Sequence, residues 1–78
     1  MNRYDKKELD NIYNELAEIV NRIDELRDSE GEKFDNLPEN LQVSQMGEKL
    51  QENTDALCTI SDNLSDIMEE ITELITSQ

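Results

Sequence analysis

Histidine does not occur in this chain of 78 residues, and cysteine occurs once. Without histidine a structural zinc site has no ligand set, triads that need an imidazole base cannot be assembled, and the Glu-x-x-His pairs of a di-metal bundle are missing. The lone Cys58 cannot close an internal disulfide. The absence of a cysteine framework suits a reducing compartment, and Met1 to Lys7 is polar and of mixed charge, with none of the apolar core of a secretory signal. Long apolar runs are lacking too. Charged side chains interrupt every apolar stretch, well short of the roughly 20 residues that span a bilayer. These absences predict a soluble, cytoplasmic protein that does not enter a membrane.

Cations are scarce in one half only. Six of the seven basic residues, Arg3, Lys6, Lys7, Arg22, Arg27 and Lys33, lie in the first half, and after Lys49 the chain carries Glu52, Asp55, Asp62, Asp66, Glu69, Glu70 and Glu73 with no cation. The formal net charge is −13. A field of that sign repels nucleic acid and anionic lipid and attracts basic protein surfaces, so direct binding of nucleic acid is not expected. A solvated, solubilising outer face accounts for the same charges more simply.

What the chain has is aliphatic rhythm. Leu9, Ile12, Leu16, Ile19, Ile23 and Leu26 recur at alternating intervals of three and four, and Leu50, Leu57, Ile60, Leu64, Ile67, Ile71 and Leu74 follow the same template after a break. Two amphipathic helices with narrow seams are predicted, at about residues 5–33 and 45–76, with Asp5 and Ser44 as caps. In heptad terms Leu9, Leu16 and Ile23 are a residues and Ile12, Ile19 and Leu26 d residues. In the second helix Leu50, Leu57, Leu64 and Ile71 are a, and Asn53, Ile60, Ile67 and Leu74 are d.

Gly31 weakens and Pro38 forbids a continuous helix, so the reversal is placed between Ser29 and Gln45, with an irregular connector at about 34–44 and room for one helical turn at Leu37–Leu41. The predicted fold is a single all-α domain, 1–78, an antiparallel coiled-coil-like hairpin. The seams match best where opposed residue numbers total about 83. Leu9 then faces Leu74, Ile12 faces Ile71, Leu26 faces Leu57, and Glu30 faces Asn53 in a polar layer that Phe34 closes over Leu50 and Met46. Arg3, Lys6 and Lys7 come near the acidic end of the second helix, whose carboxylates oppose its dipole.

A core of this size rarely supplies more than about 3 to 5 kcal/mol without a staple. A partner or a second copy is the remaining device, and pairing of two hairpins into a four-helix bundle is the simplest form. Tyr13, Val20, Met68 and Ile75 occupy e positions on a flank that two helices are not expected to cover, which reads as a docking strip; the plainer reading is that they widen the intramolecular core. Asn53 either fixes register or is wet at a frayed end. Cys58, at b, points outward among acidic residues and is read as inert. The carboxylates lack the arrangement of a metal site, the Asp28 to Asn36 stretch fails the calcium-loop pattern, and the Asn63-Leu64-Ser65 sequon lies on a helix seam. No catalytic residue, cofactor or metal is expected.

The connector Asp35-Asn36-Leu37-Pro38-Glu39-Asn40-Leu41-Gln42, followed by Ser44, Gly47-Glu48 and an acidic leucine-spaced helix, resembles small acidic proteins encoded by bacteriophages and prophages of Gram-positive bacteria. The likeness covers roughly residues 9–75 in layout and is specific in the connector. Val43, Cys58 and the Thr and Ser residues of the second helix depart from the alanine- and glutamate-rich pattern of that group. The resemblance implies a phage or prophage origin, hence host cytoplasm, and a helical hairpin; it transfers no catalytic residue.

The function expected is therefore non-catalytic protein binding, to a host or phage protein or to itself as a homodimer, through the apolar flank and the anionic second helix. The alternative is an anionic mimic of nucleic acid that inhibits a nucleic-acid-binding protein, its phosphate-like row being Glu52, Asp55, Asp62, Asp66, Glu69 and Glu73. Salt separates the two, since a mimic's complex weakens steeply with ionic strength while apolar docking is nearly indifferent.

Overall fold

The computed structural model describes all 78 residues as a helical hairpin without strands: α1 at Arg3–Asp35, a single turn α2 at Glu39–Gln42, and α3 at Gln45–Thr76. The start of α1 is set by Asn2, whose side chain accepts a hydrogen bond from the Asp5 amide at 2.8 Å. Asp5 is thus not the cap. It sits in the first turn, where its charge complements the dipole, and Lys33 does the same in the last. The helix runs through Gly31 to Asp35, further than expected. An isolated glycine costs about 1 kcal/mol relative to alanine, which a long helix packed on a partner absorbs.

The reversal is compressed into residues 36–44 and held by main-chain bonds. Leu41 and Gln42 donate their amides to the Pro38 carbonyl at 2.8 and 3.1 Å, so proline caps α2 instead of opening it. The Gln42 side-chain amide donates to the carbonyls of Phe34, which also accepts from the Leu37 amide at 3.0 Å, and of Leu37, both at 3.2 Å, and so ties α2 to the end of α1. Ser44 caps α3, accepting from the Gly47 amide at 3.5 Å, and its hydroxyl also donates to the Leu41 carbonyl.

Gly47 is buried where α2 meets α3, and a Cβ there would run into the Gln42 carbonyl group. The connector therefore needs glycine at this position. Phe34 is half-buried, but it flanks a cleft with Gly31, Gln51 and Thr54, and Met46 stays 57% exposed, so the expected aromatic plug does not cover Met46.

α1 and α3 lie antiparallel in a rod of 58 × 15 × 12 Å. The register matches the expected one. The Asn53 amide donates to Glu30 Oε2 at 3.1 Å, the Ser61 hydroxyl donates to Asp24 Oδ1 at 2.8 Å, and at the far end the Met1 amine donates to Gln78 Oε1 at 2.8 Å. Leu26 and Leu57 line one cleft, as the heptads require.

The rotation of the helices about their axes differs from expectation. All a residues are half-buried, and so are the e residues Lys6, Tyr13, Val20, Arg27 and Phe34 of α1 and Thr54, Met68 and Ile75 of α3, while Gly47 and Ser61, also at e, are buried. The d residues Ile19, Leu26, Ile60, Ile67 and Leu74 are exposed. The seam is centred on a and leans toward e, and of the d residues only Ile12 and Asn53 are half-buried. On the e side of α3 the small residues Thr54 and Ser61 are half-buried and buried, and Ser61 reaches across to Asp24. Cys58 consequently turns inward to an intermediate burial beside Arg27.

No hydrophobic side chain reaches full burial. The accessible surface is 5929 Å², whereas a compact monomer of this mass is expected to expose about 4,900 Å². The excess, about 1,000 Å² by that scaling, belongs to a rod only one helix layer thick.

Candidate protein-docking site

An α-helix with apolar residues at d, a and e presents a stripe about 100° wide. In this hairpin the a/e half of each stripe is spent on the other helix, and the d half is left over. In the observed register Ile19 and Ile67 come roughly level, with Ile12 and Leu74 one heptad toward the termini and Leu26 and Ile60 one heptad toward the connector. These three rungs form a strip about 21 Å long on one edge of the rod, at 1.5 Å per residue.

Ile19, Leu26, Ile60, Ile67 and Leu74 are 40, 55, 44, 45 and 41% exposed, and Ile12 is half-buried. Complete burial of such a side chain is worth about 1.5 to 3 kcal/mol, so folding of the hairpin leaves a large part of that unrealised at each. Toward the connector the strip ends at the polar pair Glu30 and Asn53.

The flanking g positions are sparsely charged on α3. Ala56 and Asn63 are neutral, and Lys49 and Glu70 stand at the two ends. On α1 they are Glu8, Glu15, Arg22 and Ser29. Arg22 is exposed, adjoins Ile19, Ile23 and Leu26 along one groove, and has no ion-pair partner within the chain.

The residues singled out by the sequence fall on the other edge. Tyr13 shares one groove with Met68 and the next with Ile75, so those members of the quartet are brought together, but all four with Val20 are half-buried as part of the a/e seam. The flank expected to be uncovered at e is half-buried, and the exposed apolar strip lies at d. The signal that distinguishes them is the series of small residues at e on α3.

Glu52, Asp55, Asp62, Asp66, Glu69 and Glu73 are all exposed on α3. Only Glu52 has a cation near it, Lys49 at 4.0 Å. The other ion pairs, Arg27 with Asp24 and Asp28 and Lys33 with Glu30, lie within α1, and none joins Arg3, Lys6 or Lys7 to the acidic end of α3. The Arg27 guanidinium is held above its usual pKa, chiefly by its hydrogen bond to Asp28. The Glu30 carboxylate is held below the usual range by Lys33 and then by Asn53.

The remaining clefts are open grooves on the rod, no buried side-chain polar atom lacks a partner, and no group of three or more acidic or thiol side chains gathers as a metal site would. No helix is long and apolar enough to cross a membrane. No protein-family model, no curated protein and no solved structure matches the chain.

Proposed function

We propose that this hairpin is a non-catalytic protein-binding module whose docking edge is the Ile12–Ile19–Leu26 and Ile60–Ile67–Leu74 strip. One observation carries the reading: five large aliphatic side chains stand 40 to 55% exposed in register on two helices, in a chain with no buried hydrophobic residue. Continuous apolar strips at helical spacing are the surfaces by which helices recognise helices. The connector likeness favours a phage or prophage origin, and a partner from the same cell.

The test is affinity capture with the wild type and with Ile19→Asp/Ile67→Asp, each at low and moderate salt. Capture that is lost in the variant and indifferent to salt supports the reading; equal capture by both proteins sinks it.

A second reading has its own observation. The six carboxylates Glu52, Asp55, Asp62, Asp66, Glu69 and Glu73 are exposed, and all but Glu52 stand without a cation partner, as a mimic of nucleic acid would require. Its complex would dissolve between low and moderate ionic strength. Changing Asp62, Asp66 and Glu69 to lysine would abolish it.

A further inference from the structure

The occupant of the apolar strip can be argued from its symmetry. A two-fold interface must be the same patch on both copies, self-complementary under the rotation. The strip satisfies this about its middle rung, because Ile12–Leu74 and Leu26–Ile60 flank Ile19–Ile67 at equal heptad spacing. A two-fold axis across the helices at Ile19–Ile67 therefore lays Ile12 of one copy over Leu26 of the other, Leu74 over Ile60, and the middle rung on itself. The result is three stacked layers of four aliphatic side chains.

The charged border selects the direction of pairing. Glu15 lies four residues before Ile19 and Arg22 three residues after it, both at g on the same edge of α1. Under the axis across the helices, Glu15 of each copy meets Arg22 of the other, and on α3 the Asn63 amide meets the Glu70 carboxylate. The g-to-g pairing of antiparallel helices is where charge sets orientation. A two-fold axis along the helices would instead bring Glu15 against Glu70, like charge on like, and leave Arg22 without an anion. Arg22 is exposed and unpaired within the chain.

We propose that the strip docks on the strip of a second copy, antiparallel, to form a four-helix bundle with reciprocal Glu15–Arg22 pairs at its edge. This inference rests on the docking reading above and names its partner. In sedimentation equilibrium the wild type should give twice the 9.1 kDa chain mass at micromolar concentration. Ile19→Asp/Ile67→Asp should give the single-chain mass with its helix content retained.

Arg22→Glu should weaken the pair about tenfold or more, since it turns two attractions into two repulsions. Glu15→Arg/Arg22→Glu should restore it. A Glu15→Arg protein that pairs more tightly than the wild type, with no restoration in the double variant, would overturn the antiparallel arrangement. A wild type of single-chain mass at 0.1 mM overturns self-docking altogether; strip-dependent capture of another protein would then leave the binding-module reading standing, and its absence would remove both.

Discussion

The Ser61 hydroxyl donates to Asp24 Oδ1 at 2.8 Å, and the same carboxylate oxygen accepts from the Arg27 guanidinium at 3.1 Å. Ser61 is 7% exposed, the most enclosed polar side chain of the rod. A carboxylate on α1, steadied by a cation one turn further along, thus holds a small hydroxyl on α3. Glu30 repeats the pattern with Lys33 and Asn53. Both ties mark the register, and the Ser61 tie lies on the e side, where the hairpin covers its side chains.

Removing the Ser61 hydroxyl should weaken the hairpin on that side. Ser61→Ala takes away a hydrogen bond to a charged acceptor, an interaction worth about 1.5 to 3 kcal/mol in general and less here because the Asp24 side chain is 33% exposed. We expect a loss of about 1 kcal/mol in urea unfolding followed by circular dichroism. A larger side chain at this position, as in Ser61→Leu, should cost more, because it separates the helices where they approach.

The two glycines should respond with opposite signs. Around Gly31 a Cβ would meet nothing within 4 Å, so Gly31→Ala should stabilise the protein by about 0.5 to 1 kcal/mol through helix propensity and unfolded-state entropy. At Gly47 the same substitution drives a methyl group into the Gln42 carbonyl and should destabilise despite the better propensity. Thermal unfolding of the two variants side by side is the measurement.

The Glu30 tie should fade in acid. Its pKa in the folded protein is lowered by the hydrogen bonds from Lys33 and Asn53, so the folded state holds its proton less tightly than the unfolded chain does. The stabilisation is complete above the unfolded value of about 4.3 and is lost as pH falls through the lower folded value. Wild type should therefore exceed Glu30→Gln in stability at pH 7, and the gap should close as the pH is taken below 4. A gap that stays constant with pH would remove the charged state of Glu30 from the account.

Two pairs of apolar-to-acid changes should separate seam from strip. Val20→Asp/Met68→Asp places carboxylates in the a/e seam and should cost helix content and folding. Ile19→Asp/Ile67→Asp places them on the open edge and should leave the hairpin helical. Circular dichroism at low concentration distinguishes the two.

Register was readable because it depends on spacing that hydropathy reports. The heptads aligned Leu26 with Leu57, and the polar pair Glu30 and Asn53 marked the end of the dry seam; both are found. Ser44 was readable as a cap from residue type alone. Rotation was not. Ile19 at d and Val20 at e are equally apolar, and hydropathy cannot rank them. The choice goes with the enclosed small residues Thr54 and Ser61 and with a side-chain bond between residues 37 apart in sequence. The same turn of the helices half-buries Tyr13, Val20, Met68 and Ile75 at e and leaves most of the d residues exposed.

Both chain ends lie at one tip of the rod, joined by the Met1 amine and the Gln78 amide, and the connector forms the other tip 58 Å away. Two copies laid antiparallel would point their ends in opposite directions. Anything fused to the termini of such a pair would then be held apart by nearly the full length of the rod.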